Sequence, residues 1–76
     1  MRPDNSVVLV HSTSHAIKAE KLMRRAGIDC KLIPVPRKLS SDCGICIRFA
    51  ARDKSRAALV LAKGGIETEG IHDLAR

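Results

Sequence analysis

Two cysteines spaced as Cys-x-x-Cys, Cys43 and Cys46 with Gly44 after the first, are the residues of this chain best suited to chemistry. Paired thiols at this spacing can exchange disulfides, capture a soft metal ion or contribute to a structural zinc site. They can also hold one reactive thiolate beside a second cysteine that takes no part. Which of these applies depends on where the fold places each thiol and which charges surround it.

Four segments have the apolar pattern of β-strands, at residues 7–10, 28–32, 45–49 and 66–71. The second and third show strict alternation, which places alternate side chains on opposite faces of a sheet. Pro34 and Pro36 end the second strand, since proline cannot donate to a strand ladder.

Two helices are predicted between these strands from the 3.6-residue spacing of apolar positions. The first begins at one of three hydroxyl caps (residues 12–14) and ends at Gly27. The second is capped by Asp53 and ends at Gly64 and Gly65. Hydroxyl and carboxylate caps accept free N–H groups of the first turn, and glycine ends a helix readily.

The resulting order, β-α-β-β-α-β, predicts an α+β ferredoxin-like sandwich, with two helices on one face of an antiparallel sheet. The chain forms one domain, residues 1–76, with an ordered core over about 6–71. A right-handed first crossover leaves a gap between strands one and two, which strand three fills, antiparallel to strand one. The start of strand three then lies beside the start of helix one. We therefore expect Cys43 to have five neighbours in space: His11, Ser12, Thr13, Ser14 and His15.

Cys43 is the candidate reactive thiol, since it follows a polar loop segment (37–42) that should leave it accessible. The N-terminus of helix one, Arg37 and a protonated His11 or His15 would each favour the thiolate and lower its pKa. Gly44 removes a side chain that would crowd an incoming sulfur donor. The alternative is an ordinary loop cysteine with no role.

The other two cysteines have different surroundings. Strand alternation puts Cys46 on the face of Arg48, away from the helices, where it is either a resolving thiol or a bystander. That face of the sheet is either exposed to solvent or forms a subunit interface in a homo-oligomer. Cys30 shares the period of Ile28 and Leu32, which predicts a buried and unreactive thiol.

Metal binding is the alternative use of the cysteine pair. Cys43 and Cys46 suffice for Cu(I), which two thiolates can hold. Adding His11 and His15 would complete four zinc ligands, although a strand end and a helix start rarely present paired ligands at zinc spacing. Sulfur chemistry on a thiol needs no cofactor, and we predict none. Three carboxylates and one histidine near the C-terminus fit a solvated edge: Glu67, Glu69, Asp73 and His72.

The net charge of +6, from 14 Lys and Arg against 8 Asp and Glu, indicates an acidic partner. Nucleic acid is a third hypothesis, but Phe49 is the sole aromatic residue and single strands are bound by stacking on several rings. No apolar run is long enough to span a membrane, and no export signal is visible. Three cysteines do not suggest a disulfide framework, so we expect a cytoplasmic protein with reduced thiols.

The segments HSTSHAIKAEKLMRRAGI and VPRKLSSDCGICIRF resemble the bacterial family called putative Se/S carrier protein-like. The resemblance implies a small cytoplasmic protein or fused module that holds sulfur or selenium on the cysteine of its Cys-Gly pair. It carries over Cys43, Gly44, Arg37 and Glu20, the last of which is also explained as an ion-pair partner on the helix surface. The position of Cys46 is often not a cysteine in that family.

The function predicted is a carrier that holds a persulfide or selenopersulfide on Cys43 rather than an enzyme with turnover. A donor such as a cysteine desulfurase passes its terminal sulfur to the thiolate, and an acceptor thiol protein removes it. Cu(I) or zinc binding by Cys43 and Cys46 is the alternative.

Overall fold

The computed structural model describes residues 5–39 and 44–74. Its strands are β1 (Asn5–Val10), β2 (Cys30–Pro34), β3 (Ile45–Ala50) and β4 (Thr68–Leu74). Its helices are α1 (Thr13–Arg25) and α2 (Lys54–Lys63), and a 3-10 turn (Ala51–Asp53) leads into α2. The predicted βαββαβ order is confirmed.

The strands form one antiparallel sheet in the order β2-β3-β1-β4. β3 therefore lies between β1 and β2, as the crossover argument predicts. Leu9 near the end of β1 is the partner of Cys46 near the start of β3. This register places the start of β3 beside the turn that leads from β1 into α1. The α+β ferredoxin-like fold is confirmed.

Both helices cover the same face of the sheet, which we call the helix face. Alternate strand residues such as Val8, Ile47 and Phe49 are buried there against Met23 of α1 and Leu61 of α2. The other face, which we call the open face, carries a second and smaller apolar cluster, with Val7, Leu9 and Cys46 fully or almost fully buried. The sheet is therefore apolar on both sides at its centre.

Each helix ends in the same glycine motif, and this explains why two strands start later than predicted. Gly27 (φ +82°) follows α1 and Gly65 (φ +73°) follows α2, in the left-handed region that suits glycine. The next N–H closes each motif, with Ile28 donating to Met23 O at 2.9 Å and Ile66 donating to Leu61 O at 3.0 Å. These N–H groups belong to the helix ends, so both predicted strands form but each begins two residues later than predicted.

The fourth strand also ends later than residue 71, because β4 pairs along the whole of β1 as far as Asn5 with Leu74. The predicted cap residue of the second helix is confirmed in its position but not in its hydrogen bond. Asp53 holds the cap position, but its side chain accepts no capping hydrogen bond. A carboxylate oxygen lies instead 3.5 Å from the guanidinium of Arg56, and the 3-10 turn provides the entry to α2.

Candidate functional site

The connection between β2 and β3, residues 35–44, carries the predicted reactive thiol. Cys43 lies outside the described residues, and so do its predicted contacts with His11, Ser14 and His15. The two ends of the connection are joined, since Val35 N donates to Gly44 O at 3.1 Å. Within it, Leu39 N donates to Pro36 O at 2.9 Å, and Arg37 between them is exposed.

Gly44, the residue after Cys43, has a left-handed backbone with φ of +77°. A side chain at this position would meet no atom of the described residues within 4 Å. Glycine is therefore required here by backbone conformation rather than by lack of space. The role of Gly44 in access for a sulfur donor stays a prediction, and its backbone conformation is a second reason for glycine at this position.

The N-terminus of α1 lies at the same end of the sheet as Gly44. Ser12 caps it, with the Oγ atom accepting from His15 N at 3.2 Å, so the first of the three candidate caps is the one used. The first turn, all of it described, contains no acidic residue. The positive end of the helix dipole therefore has no carboxylate of its own turn to offset it. Ser14 and His15 are exposed in this turn.

His11 faces β4 rather than a thiol among the described residues. Its Nδ1 lies 3.6 Å from a carboxylate oxygen of Glu69, and its Nε2 lies 4.0 Å from one of Glu67. Glu67 and Glu69 flank the start of β4, at the register shift between Leu9 and Val10 of β1. Two of the carboxylates predicted to be a plain solvated edge thus face an imidazole, a contact that sequence reasoning missed.

Cys46 is on the open face, as alternation predicts, but it is not exposed there. Its side chain is 0% accessible and lies in the cluster with Val7 and Leu9. Its Sγ lies 3.9 Å from Pro34 O, within reach of a weak S–H···O hydrogen bond. Val35 and Leu39 of the β2–β3 connection pack against this cluster. A thiol in this position contributes packing and is closed to a large reactant.

Cys30 is buried on the helix face, as predicted. Burial raises the pKa of its thiol, although the nearby Arg24 guanidinium acts in the opposite direction. The Sγ–H donates to Glu20 O at 3.7 Å. Arg24 Nη2 donates both to Cys30 O at 3.0 Å and to a carboxylate oxygen of Glu20 at 3.3 Å. Glu20 thus acts as the helix-surface ion-pair partner that the sequence indicated.

Asp73 forms a polar link between β4, β1 and α2 that sequence reasoning also missed. Its Oδ1 accepts from Ser6 Oγ at 2.6 Å and lies 2.6 Å from Lys54 Nζ. The hydrogen bond from Lys54, and after it the one from Ser6, holds the pKa of this carboxyl below its usual value. The three residues come from the two ends of the chain and from α2, so no local pattern signals their contact.

Metal ligands are not clustered in residues 5–39 and 44–74, where no group of three or more His, Cys, Asp or Glu side chains is placed to hold an ion. The two-thiolate site of the alternative hypothesis includes Cys43 and so falls outside those ranges. Neither helix of the described chain has the length and hydrophobicity that crossing a membrane requires.

Comparison with known proteins places most of the chain in one family. The model of the family described as "Putative Se/S carrier protein-like" matches residues 5–73. The match includes every described element except the last residue of β4. No curated protein and no solved structure matches the chain significantly.

Proposed function

The chain belongs to the Se/S carrier protein-like family, and on this premise we propose that it carries sulfur or selenium as a persulfide or selenopersulfide on Cys43. The observation that carries the proposal is the family match across the Cys43–Gly44 pair. Chain connectivity ties this pair to the sheet end where α1 begins. The N-terminus of α1, whose first turn contains no acidic residue, would favour a thiolate there.

Loading is an exchange between sulfur atoms that needs no external oxidant. The Cys43 thiolate attacks the terminal sulfur of a donor persulfide, R–S–SH. The bond between the two donor sulfurs breaks as a new S–S bond forms, and the donor leaves as the thiolate R–S⁻. Unloading is the same step in reverse order, with an acceptor thiolate attacking the terminal sulfur and Cys43 leaving as a thiolate. A terminal selenium would follow the same course.

Cys46 takes no part in this scheme. Its side chain is fully buried in the cluster with Val7 and Leu9, which suits packing rather than exchange with a donor or an acceptor protein. The same burial closes the path from solvent to the Cys46 sulfur, which disfavours capture of a metal ion by the two thiolates. We therefore assign Cys46 to packing and Cys43 alone to carriage.

The partners are a persulfide donor protein such as a cysteine desulfurase, and an acceptor thiol protein, acting in the cytoplasm. The net charge of +6 suits acidic docking faces on both. Electrostatic steering of this kind raises the rate of encounter, and it weakens as salt is added.

The experiment is intact mass spectrometry of the purified chain after incubation with a small-molecule persulfide. The wild-type chain, Cys46→Ser and Cys30→Ser should each gain the mass of one sulfur, and Cys43→Ser should gain none. Cys30→Ser is the matched control, since it also removes one thiol. Loading of Cys43→Ser would contradict the proposal, and so would a copper or zinc adduct lost equally in Cys43→Ser and Cys46→Ser.

A further inference from the structure

A basic cavity of about 420 Å³ lies where β1 begins and β3 ends, at the opposite end of the sheet from Gly44. Four cations line it: Arg24, Lys31, Arg48 and Arg52. Its volume falls in the range of small-molecule sites, roughly 300–1,000 Å³. Its lining on β3 begins at Arg48, four residues and roughly 13 Å from Gly44, so the cavity lies away from the sheet end that Gly44 occupies.

Two of these cations are placed against each other by the sheet register. Lys31 on β2 is the direct partner of Arg48 on β3, and both side chains are exposed on the open face. Like charges directly opposite on neighbouring strands destabilise a sheet. Within residues 5–39 and 44–74, neither side chain has a carboxylate partner. The fold therefore holds a repulsive pair that a bound anion would relieve.

The other charged residues of the lining do not neutralise the positive charge of Lys31 and Arg48. Arg24 is committed to Glu20 and to the carbonyl of Cys30. Asp53 is offset by Arg56, whose guanidinium is 3.5 Å from its carboxylate. Arg52 has no ion-pair partner in the described part of the chain. Among the described residues of the lining, Asp29 is then the one carboxylate without an ion-pair partner, set against Lys31, Arg48 and Arg52.

We propose that this cavity binds a small phosphorylated molecule through its phosphate group. Two guanidinium forks and one ammonium can each engage a terminal phosphate oxygen, and arginine suits this recognition because its donors form a planar fork. A single carboxylate would neutralise only one of the positive charges and offers two oxygens. The side-chain amide of Asn5, also in the lining, is a further hydrogen-bonding group for the ligand. The site is independent of sulfur carriage.

The test is a titration of the isotope-labelled full chain, followed by backbone amide NMR shifts, with chloride keeping the ionic strength constant. The probes are inorganic phosphate, phenyl phosphate, acetate and a glutamate hexapeptide. We expect saturable shifts at Asn5, Lys31, Arg48 and Arg52 with the two phosphates, and at least tenfold weaker binding of acetate. Shifts no larger than those in chloride would overturn the proposal. So would tighter binding of the glutamate peptide, which would make the surface a protein-docking site.

Variants that remove one positive charge distinguish phosphate binding in this cavity from general electrostatic attraction to a basic protein. Arg48→Gln and Arg52→Gln should each weaken phenyl phosphate binding by tenfold or more, since each removes a charge-assisted contact. Lys18→Gln, which removes an exposed charge on α1 outside the lining, should stay within twofold of the wild type. Equal weakening by Lys18→Gln would refute the site.

A thermal melt tests the repulsive pair itself. Without phosphate, Arg48→Gln should melt no lower than the wild type, because the substitution removes the repulsion from Lys31. Phosphate should then raise the melting temperature of the wild type more than that of Arg48→Gln. The same rise in both chains would overturn the proposal.

Discussion

Truncating the buried thiol by Cys46→Ala separates packing from sulfur chemistry. The Sγ atom is fully enclosed among Val7, Leu9 and the side chains that cover the open face, so its removal leaves a void about the size of one methyl group. Loss of one such group from a core costs about 1 kcal/mol, as in Ile→Val substitutions. The 3.9 Å contact with Pro34 O is too weak to add much. In a domain of this size that loss lowers the melting temperature by about 4–8 °C.

Urea unfolding followed by far-UV circular dichroism measures this loss, and intact mass after a persulfide donor measures loading on the same sample. We expect Cys46→Ala to be less stable and to load fully. Lys38→Ala is the matched control, because it truncates an exposed side chain of the same β2–β3 connection and should leave stability unchanged. An unchanged midpoint for Cys46→Ala would refute the packing described. A folded variant that no longer loads would refute the division of roles between the two cysteines.

Three further predictions concern other described residues. Gly44→Ala should lower the free energy of unfolding in a denaturant titration by about 1–2 kcal/mol, because the positive φ at this position strains any residue with a Cβ. Equal stability of the two chains would contradict this explanation. Asp73→Asn should destabilise the chain at pH 7. In the wild type, the contacts with Lys54 and Ser6 hold the pKa of Asp73 below 3.8. The extra stability of the wild type over Asp73→Asn is therefore present above that pH and is lost as the pH falls further. Parallel acid-unfolding curves for the two chains would refute the Lys54 and Ser6 contacts. The raised pKa of Cys30 predicts slow alkylation until the protein unfolds, and labelling of the native chain at the rate of a free thiol would contradict its burial.

The sheet topology could be predicted because local periodicity and one handedness rule were sufficient. Alternation of Ile45, Ile47 and Phe49 identified the helix face of β3, and the right-handed crossover placed β3 beside β1. Strand limits were less predictable. Ile28 and Ile66 are apolar and continue the strand pattern, yet their N–H groups close the helix ends before them.

The candidate site was less predictable, because its main features depend on long-range contacts that the periodicity of apolar residues does not predict. Alternation assigns Cys46 to the open face but does not reveal that Val35 and Leu39 pack over it. Ser6 and Asp73 meet across a separation of 67 residues, through a register that sets in only when β4 pairs with β1.

The basic cavity illustrates the same limit. A net charge of +6 indicates an anionic partner but not where it binds. The pairing of Lys31 with Arg48 is what locates the excess positive charge at one end of the sheet.

Peptide mapping of a persulfide-loaded wild-type chain shows which cysteine carries the transferred sulfur. The protein is loaded with a small-molecule persulfide, the terminal sulfur is trapped with an alkylating reagent, and the chain is then digested and sequenced by mass spectrometry. Digestion must cleave between Cys43 and Cys46, or fragment ions must separate them, so that the added sulfur is assigned to one residue. We expect the trapped sulfur on Cys43, with Cys46 and Cys30 unmodified. Sulfur on Cys46 or Cys30, or a Cys43–Cys46 disulfide as the main product, would contradict this expectation.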